Sequence, residues 1–360
     1  MHAEEARGVV HGIQRGGVSG LVPVSEVGVS EERILLAHGD GGELMAELIE
    51  RVFVARLGTG DPPGDDAARI EGDGRLVFTT DGFVVDPIFF PGGDIGKLAV
   101  CGTVNDLAAA GARPVALSAS FILEEGLVIS ELERVVDSMA RTAAEAGVRV
   151  VCGDTKVVPR GTADGIYVTT SGIGMVPMGV AVSGAGARPG DVVLVSGTLG
   201  DHGLAILSVR EGLEFESPIV SDCAPLAGMV EELLEAAPGV HVLRDPTRGG
   251  LATALNEIAR QSGVGIEVVE SAVPVREAVG AACELLGLDP LYVANEGKMI
   301  VIAPEGEAAL AALKAHPLGA EAAVIGRVEE SARPRVTLRT ALGTHRILDR
   351  QVGEQLPRIC

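Results

Sequence analysis

Four short acidic stretches stand out in the first half of the chain: GDDAA (64–68), TTDG (79–82), VNDLAAAG (104–111) and GDTK (153–156). Each sets an aspartate beside small residues, at the edge of an apolar run. A lone aspartate in such a place is most often a turn residue whose side chain bonds nearby backbone. Four together invite a second reading. Magnesium takes hard oxygen ligands, usually one or two carboxylates with water and substrate phosphates, and small neighbours let backbone approach those phosphates closely. Asp66, Asp81, Asp106 and Asp154 are therefore candidate Mg²⁺ and nucleotide ligands, with Asp65, Asn105 and Thr155 as neighbouring contacts.

Other residues could complete such a site. Lys156 follows Asp154, and Glu296 lies in the loop of LYVANEGKMIVIA; both are candidates for proton transfer, set against the plainer reading of exposed charges in weak ion pairs. His38 and His202 are further bases, better suited to packing or capping. In RDPTRGGL, Asp245 suits an N-cap and Pro246 the first helical position. The helix start so defined offers N–H groups to phosphate, with Arg248 adding positive charge. The last residue, Cys360, is an unusual place for a thiol, since cysteine is usually buried and chain ends fray.

These residues need a scaffold. The 360 residues exceed one ordinary core and fit two domains. Hydrophobic residues make up 47% and charged ones 22%, as in folded proteins. A formal charge of −21 and an aromatic content of 2% exclude the basic, stacking surface that nucleic acids require. The N-terminus lacks a signal-peptide apolar run, no stretch is long and apolar enough to span a membrane, and five widely spaced cysteines form no metal-ligand pair. A cytoplasmic protein is expected, with Cys101, Cys152, Cys223 and Cys283 as reduced core residues.

Strand and helix patterns alternate in both halves. RLVFTTDGFVV reads as a strand, KLAVCGTVNDLAAAGA as a helix, and RPVALSASFIL as the strand after it. Ser130 and Glu133 form a capping-box pattern ahead of a helix that Gly147 closes. VRVVC and GIYVTTSGIGMV are further strands, and RPGDVVLVSG restarts the pattern. The expectation is an α/β (α+β) protein with an extension over 1–30, a nucleotide-binding domain over 31–180, a second domain over 181–346 and a mobile tail over 347–360. That tail could reach roughly 45 Å if extended. GGDIGKL lacks the spacing and the hydroxyl residue of a P-loop, so ATP would be held through aspartates.

The motifs GDDAA, TTDGFVVDP, TVNDLAAAGARP and GDT, followed by ARPGDVVLVSG and RDPTRGGLATALNEIA, resemble the superfamily of aminoimidazole ribonucleotide synthetase, selenophosphate synthetase and thiamine-monophosphate kinase. Within it, HGDGGELM, the intact RDPTRGGL and the terminal PRIC resemble the HypE family of hydrogenase maturation factors. The resemblance runs from about Ile34 to Cys360. It implies a two-domain fold that pairs into a homodimer with ATP sites at or near the interface. It implies a carbamoyl group on Cys360, installed by a HypF-like carbamoyltransferase and dehydrated with Mg-ATP to a thiocyanate. The cyanide would then pass to iron on a scaffold of HypC-like and HypD-like proteins during nickel–iron hydrogenase assembly. Two features depart from the pattern: the thirty leading residues, and the acidic Asp40 and Glu43 in the glycine turn. A small-molecule synthetase or kinase would share the aspartates without needing Cys360. A passive carrier of a modified thiol would need Cys360 without the aspartates.

Overall fold

The computed structural model describes residues 32–35, 38, 47–58, 75–213, 218–350 and 358–360. The leading extension, Asp40, Glu43, Asp65 and Asp66 lie outside them.

The first domain is built on a four-stranded sheet. Strands β1 (Arg75–Phe83), β2 (Arg113–Glu124), β3 (Arg149–Val158) and β4 (Ile166–Val176) lie in the order β1-β4-β2-β3, and only the β2/β3 pair is parallel. Helices α1 (Ile95–Ala109) and α2 (Ile129–Glu145) pack on one face of it. Side chains alternate along a strand, so Val77, Thr79, Asp81 and Phe83 turn towards α1 while Leu76, Phe78 and Thr80 point away. That second face is open, with Leu76 and Phe78 65% and 67% exposed.

Local chemistry explains the helix ends, not always as the sequence patterns suggest. Asp94 caps α1, accepting from the Gly96 and Lys97 amides at 2.8 and 3.1 Å. This accounts for the acidic residue of GGDIGKL without a phosphate. The capping box expected at Ser130 does not form. Helix α2 begins two residues earlier, after Val128, which makes a bridge with Arg33, while Ile129 N donates to Glu32 O at 2.8 Å. Gly147 ends the helix as expected, at φ +67°.

The second domain is a seven-stranded sheet. Its strands β5 (Val192–Val195), β6 (Val242–Arg244), β7 (Gly265–Val269), β8 (Ile300–Ala303), β9 (Ala323–Glu329), β10 (Arg335–Arg339) and β11 (His345–Ile347) run in the order β11-β10-β7-β9-β5-β8-β6. Alternation again sorts the side chains. Val193, Val195, Ile300 and Ile302 pack with Leu251, Leu255 and Ile258 of helix α5 (Gly250–Ser262). Leu194 and Val301 pack on the other face with helices α4 (Ala227–Ala236) and α7 (Gly306–Ala315). Helix α3 (Asp201–Arg210) faces the first domain, and α6 (Glu277–Leu286) lies beyond it.

Three expectations need correcting. Residues 347–348 are not tail: Ile347 belongs to β11, and Leu348 is fully buried with its amide bonded to Val336 O at 3.0 Å. Cys152 is exposed, because its strand position falls on the open face; Cys101, Cys223 and Cys283 are buried as anticipated. Asp245 is not an N-cap. Helix α5 starts only after Gly249 (φ +77°), since Gly250 packs so closely under the Leu291 and Val293 carbonyls that a Cβ would lie 2.7 Å from each.

Candidate active site between the two domains

Near the end of strand β1, Asp81 faces α1, where Asp106 sits. The Thr79 hydroxyl donates to Asp106 Oδ2 at 2.8 Å, fixing that carboxyl against the sheet. Helix and strand come this close because residue 102 is glycine: a Cβ there would lie 2.8 Å from the Phe83 ring and 3.9 Å from the Asp81 carboxylate. Asp245 arrives from the second domain, in the loop between β6 and α5.

Burial disfavours ionisation of all three carboxyls, and charge crowding adds to it at Asp106 and Asp245. Burial raises the Asp81 carboxyl above the usual carboxylate range, opposed by its Gly82 backbone bond and by Arg248. Burial also raises Asp106, with Asp81 adding to it. Asp245 is pushed up to about 6, first by burial and then by Asp106 and, more weakly, Asp81. Acids gathered in poorly hydrated space are stabilised by a cation. Among the described residues no group of three His, Cys, Asp or Glu side chains is arranged to hold a metal by itself. Magnesium bound through phosphates needs only one or two protein carboxylates.

Glu296 lies deeper. Its side chain is buried, and Oε1 meets no hydrogen-bond partner among the described residues. Burial drives its carboxyl well above the usual range, followed by the influence of Cys223, Asp245, Asp222 and Asp81. The backbone around it is tightly held. Glu296 N and Gly297 N donate to Asp222 at 3.1 and 3.3 Å, and Lys298 Nζ donates to Asp222 at 3.0 Å. From α1, Asn105 Nδ2 donates to Glu296 O at 3.2 Å and Ala224 O at 3.1 Å, while its Oδ1 accepts from Leu226 N at 2.8 Å. Both ends of that amide are used on backbone. Asn105 joins the domains and is not the phosphate contact its neighbourhood suggests.

The chain end docks beside this cleft. Val84 N donates to Cys360 O at 3.2 Å and Asp86 N to Arg358 O at 3.1 Å, so the tail runs along the segment that continues β1 past Asp81. Ile359 is buried in the first domain's core, and Cys360 packs partly buried against it. The second domain holds the same residues: His202 Nε2 lies 2.7 Å from Ile359 O, and Arg210 donates to Arg358 O at 2.7 Å. Arg358 takes a left-handed conformation (φ 56°), costly for a residue with a side chain, and pairs with Asp164 at 2.7 Å.

Not every expected residue converges. Asp154 and Lys156 lie on the open face of the sheet, both largely exposed, and pair with each other at 2.8 Å; that contact holds the Asp154 carboxyl below its ordinary range. Thr155, between them, points the other way and is buried. Arg248 is exposed at the cleft, and His38 is buried with its Nδ1 accepting from Leu35 N at 2.9 Å. Sequence reasoning passed over Asp222, Lys298 and Arg210. The SDC run at 221–223 and the lysine of NEGK were the available signals, but nothing local marks the pairing of residues 76 positions apart.

The fold and site define a class. The AIR synthase related protein N-terminal domain family matches residues 64–176, and the corresponding C-terminal domain family matches 188–339. A carbamoyl dehydratase HypE from Cupriavidus necator is 56% identical over 337 residues, covering 92% of this chain and 96% of that protein. A crystal structure of the hydrogenase maturation protein HypE in complex with ATP superposes with a TM-score of 0.87 at 54% identity, covering 91% and 99% of the two chains. A chain from a crystal structure of a HypE–HypF complex matches with a TM-score of 0.75 at 49% identity, covering 86% and 100%. The chain belongs to the HypE family of hydrogenase maturation proteins.

Proposed function

We propose that this protein is an ATP-dependent carbamoyl dehydratase that converts an S-carbamoyl group on its own Cys360 into a thiocyanate, the source of the cyanide ligand in nickel–iron hydrogenase assembly. The observation that carries the reading is the docked chain end: Cys360 is bound to the segment following β1, beside the cleft of Asp81, Asp106, Asp245 and Glu296. Neither a small-molecule synthetase nor a passive carrier accounts for both halves of that arrangement.

Dehydration must expel a carbonyl oxygen, which leaves poorly as oxide. Transfer of the ATP γ-phosphoryl group to that oxygen makes it a phosphate, and breaking the C–O bond then gives the nitrile as the nitrogen loses its protons. The products are ADP, phosphate and the thiocyanate. Phosphoryl transfer depends on positioning and on charge neutralisation. Asp81 and Asp106, with Asp66 from the preceding motif, are the residues to hold Mg²⁺, and the crowding of Asp81 on Asp106 is the strain a divalent cation relieves. When bound, that ion would neutralise charge developing on the phosphates. Glu296 is the base for the N–H proton: its buried carboxylate, once formed, is a stronger base than an exposed one.

The open face of the first sheet supports a homodimer. Leu76 and Phe78 stand exposed beside each other on that face, with Ile122, 39% exposed, further along the same face, and together they offer an apolar surface that a second copy would cover. Pairing there takes Asp154 and Lys156 to the interface, where they would serve the partner's nucleotide; a proton-transfer role for Lys156 belongs to that assembly. The HypE–HypF structure supports a HypF-like carbamoyltransferase as a partner. The HypC-like and HypD-like scaffold is the acceptor this chemistry requires. No helix among the described residues is long and apolar enough to cross a membrane, and a cytoplasmic location fits a tail that works as a thiol.

Intact mass after incubation with the carbamoyltransferase partner and carbamoyl phosphate tests the reading. One carbamoyl on Cys360, followed by loss of one water only when Mg-ATP is added, is expected. A carbamoyl that persists with Mg-ATP would make the protein a passive carrier, and no modification would return it to the small-molecule enzymes.

A further inference from the structure

Beside the Arg358 ion pair and the packing of Ile359, the chain end is gripped by its backbone carbonyls. Arg358 O receives Asp86 N from one domain and Arg210 from the other; Ile359 O receives His202; Cys360 O receives Val84 N. The Cys360 side chain is thus placed by grips on its neighbours' carbonyls and on its own terminal carboxylate.

His202 is the innermost of these groups. Its ring is fully buried at the start of α3, with the Phe90 ring edge-on at 5.5 Å. A carbonyl oxygen only accepts, so Nε2 carries the proton that meets Ile359 O. Burial lowers the imidazole pKa, which keeps the ring neutral and leaves Nδ1 to accept from Ser221 Oγ at 2.8 Å. Ser221 opens a three-residue run. Its hydroxyl also accepts Cys223 N at 3.1 Å, and its own amide donates to Pro91 O at 2.8 Å in the first domain. The next residue, Asp222, accepts the Glu296 and Gly297 amides, and Cys223 is among the groups that raise the Glu296 carboxyl.

We propose that His202, Arg210 and Ser221 form a latch that recognises the docked backbone of residues 358–360 and, through the Ser221–Asp222–Cys223 run, holds Glu296 in place for the same docked tail. His202 is a positioning residue. It touches Ile359 and not the reacting atoms, and acts by fixing where Cys360 lies and how the Glu296 loop is held. Because the latch reads carbonyls, its own hydrogen bonds are the same whether the thiol is bare, carbamoylated or dehydrated.

This inference rests on the dehydratase reading for its kinetic part, and the test separates the two. Trypsin cleaves after Arg358, whose carbonyl is gripped in the docked state, so the rate of loss of Ile359–Cys360 by intact mass reports docking with no reaction taking place. Full-length wild type, His202→Ala, His202→Gln and Arg210→Met are compared, each checked for a cooperative melt. His202→Ala should lose the dipeptide about tenfold faster, the value of one buried hydrogen bond, and Gln, whose amide can donate to Ile359 O, should restore protection. On carbamoylated protein, His202→Ala should lower the single-turnover dehydration rate by a similar factor, leaving half-saturating ATP unchanged. Wild-type protection and rate in both His202→Ala and Arg210→Met would overturn the latch. Should His202→Ala fail to melt cooperatively, Arg210→Met and the Gln variant decide it by the same criteria. If wild-type carbamoyl survives Mg-ATP, the dehydratase reading fails while the trypsin comparison still judges the latch.

Discussion

Asp81 and Asp154 occupy adjacent rows of one sheet and point to opposite faces of it. Asp81 pairs across β4 in the row of Thr170, Ala119 and Gly153, and Asp154 falls in the row of Gly82, Thr169 and Ser120. One protomer cannot bring both carboxylates to the same phosphate, although both motifs read alike in sequence. If both serve one nucleotide, they come from two copies.

That geometry makes a complementation prediction. Asp81→Asn and Asp154→Asn should each abolish dehydration as pure homodimers. Mixed and allowed to exchange, they should regain about a quarter of wild-type activity, because half the dimers are mixed and each holds one intact composite site. Sites contained within one protomer would regain nothing.

The same surface should govern assembly. Leu76→Glu with Phe78→Glu places two charges in the row of apolar side chains on the open face. The double variant should sediment as a monomer and lose dehydration, while its fold is kept because neither side chain enters the core. A dimer that survives both changes would place the interface elsewhere.

Glu296→Gln removes the proposed base and keeps the shape of a buried side chain. Dehydration of the carbamoylated protein should fall by about 10²–10⁴-fold, with the carbamoyl still accepted from the partner. Retained activity, followed by the same mass assay, would assign the proton to another group.

Asp245 predicts a pH dependence of stability. Its carboxyl is pushed up to about 6 by burial first, then by Asp106, so the folded protein holds this proton more tightly than the unfolded chain does. Its contribution is favourable below the ordinary carboxylate pKa near 4 and is lost as pH rises towards 6. Asp245→Asn should therefore be the more stable form at pH 7, by about 1–2 kcal/mol once residual exposure is allowed for. The two proteins should converge near pH 4 in denaturant melts. A difference that does not change with pH would remove the carboxyl's desolvation as the cause.

Much of this protein is determined locally. Alternation marks β1 and β2 and a one-sided helical period marks α2, because burying one face of a strand or helix demands that pattern, whereas α1 is apolar nearly all round because it is buried between the sheet and its neighbours. The aspartate motifs and the terminal PRIC are contiguous, so their chemistry and their family are legible without a structure. What sequence could not show is which groups meet. Asn105 sits in the same short motif as Asp106, yet one helical step turns its amide to the backbone at Ala224 and Glu296 while Asp106 faces Thr79. Asp245 has the residue types of a helix cap, but the close packing of Gly250 under Leu291 and Val293 moves the helix start past it. The docking of Cys360 joins residues more than a hundred positions apart through carbonyl oxygens, which every residue carries, so no side-chain pattern could announce it. Residue types set what chemistry was available, and tertiary packing decided which of those groups share a cleft, which were spent on holding the domains together, and which were left facing a partner.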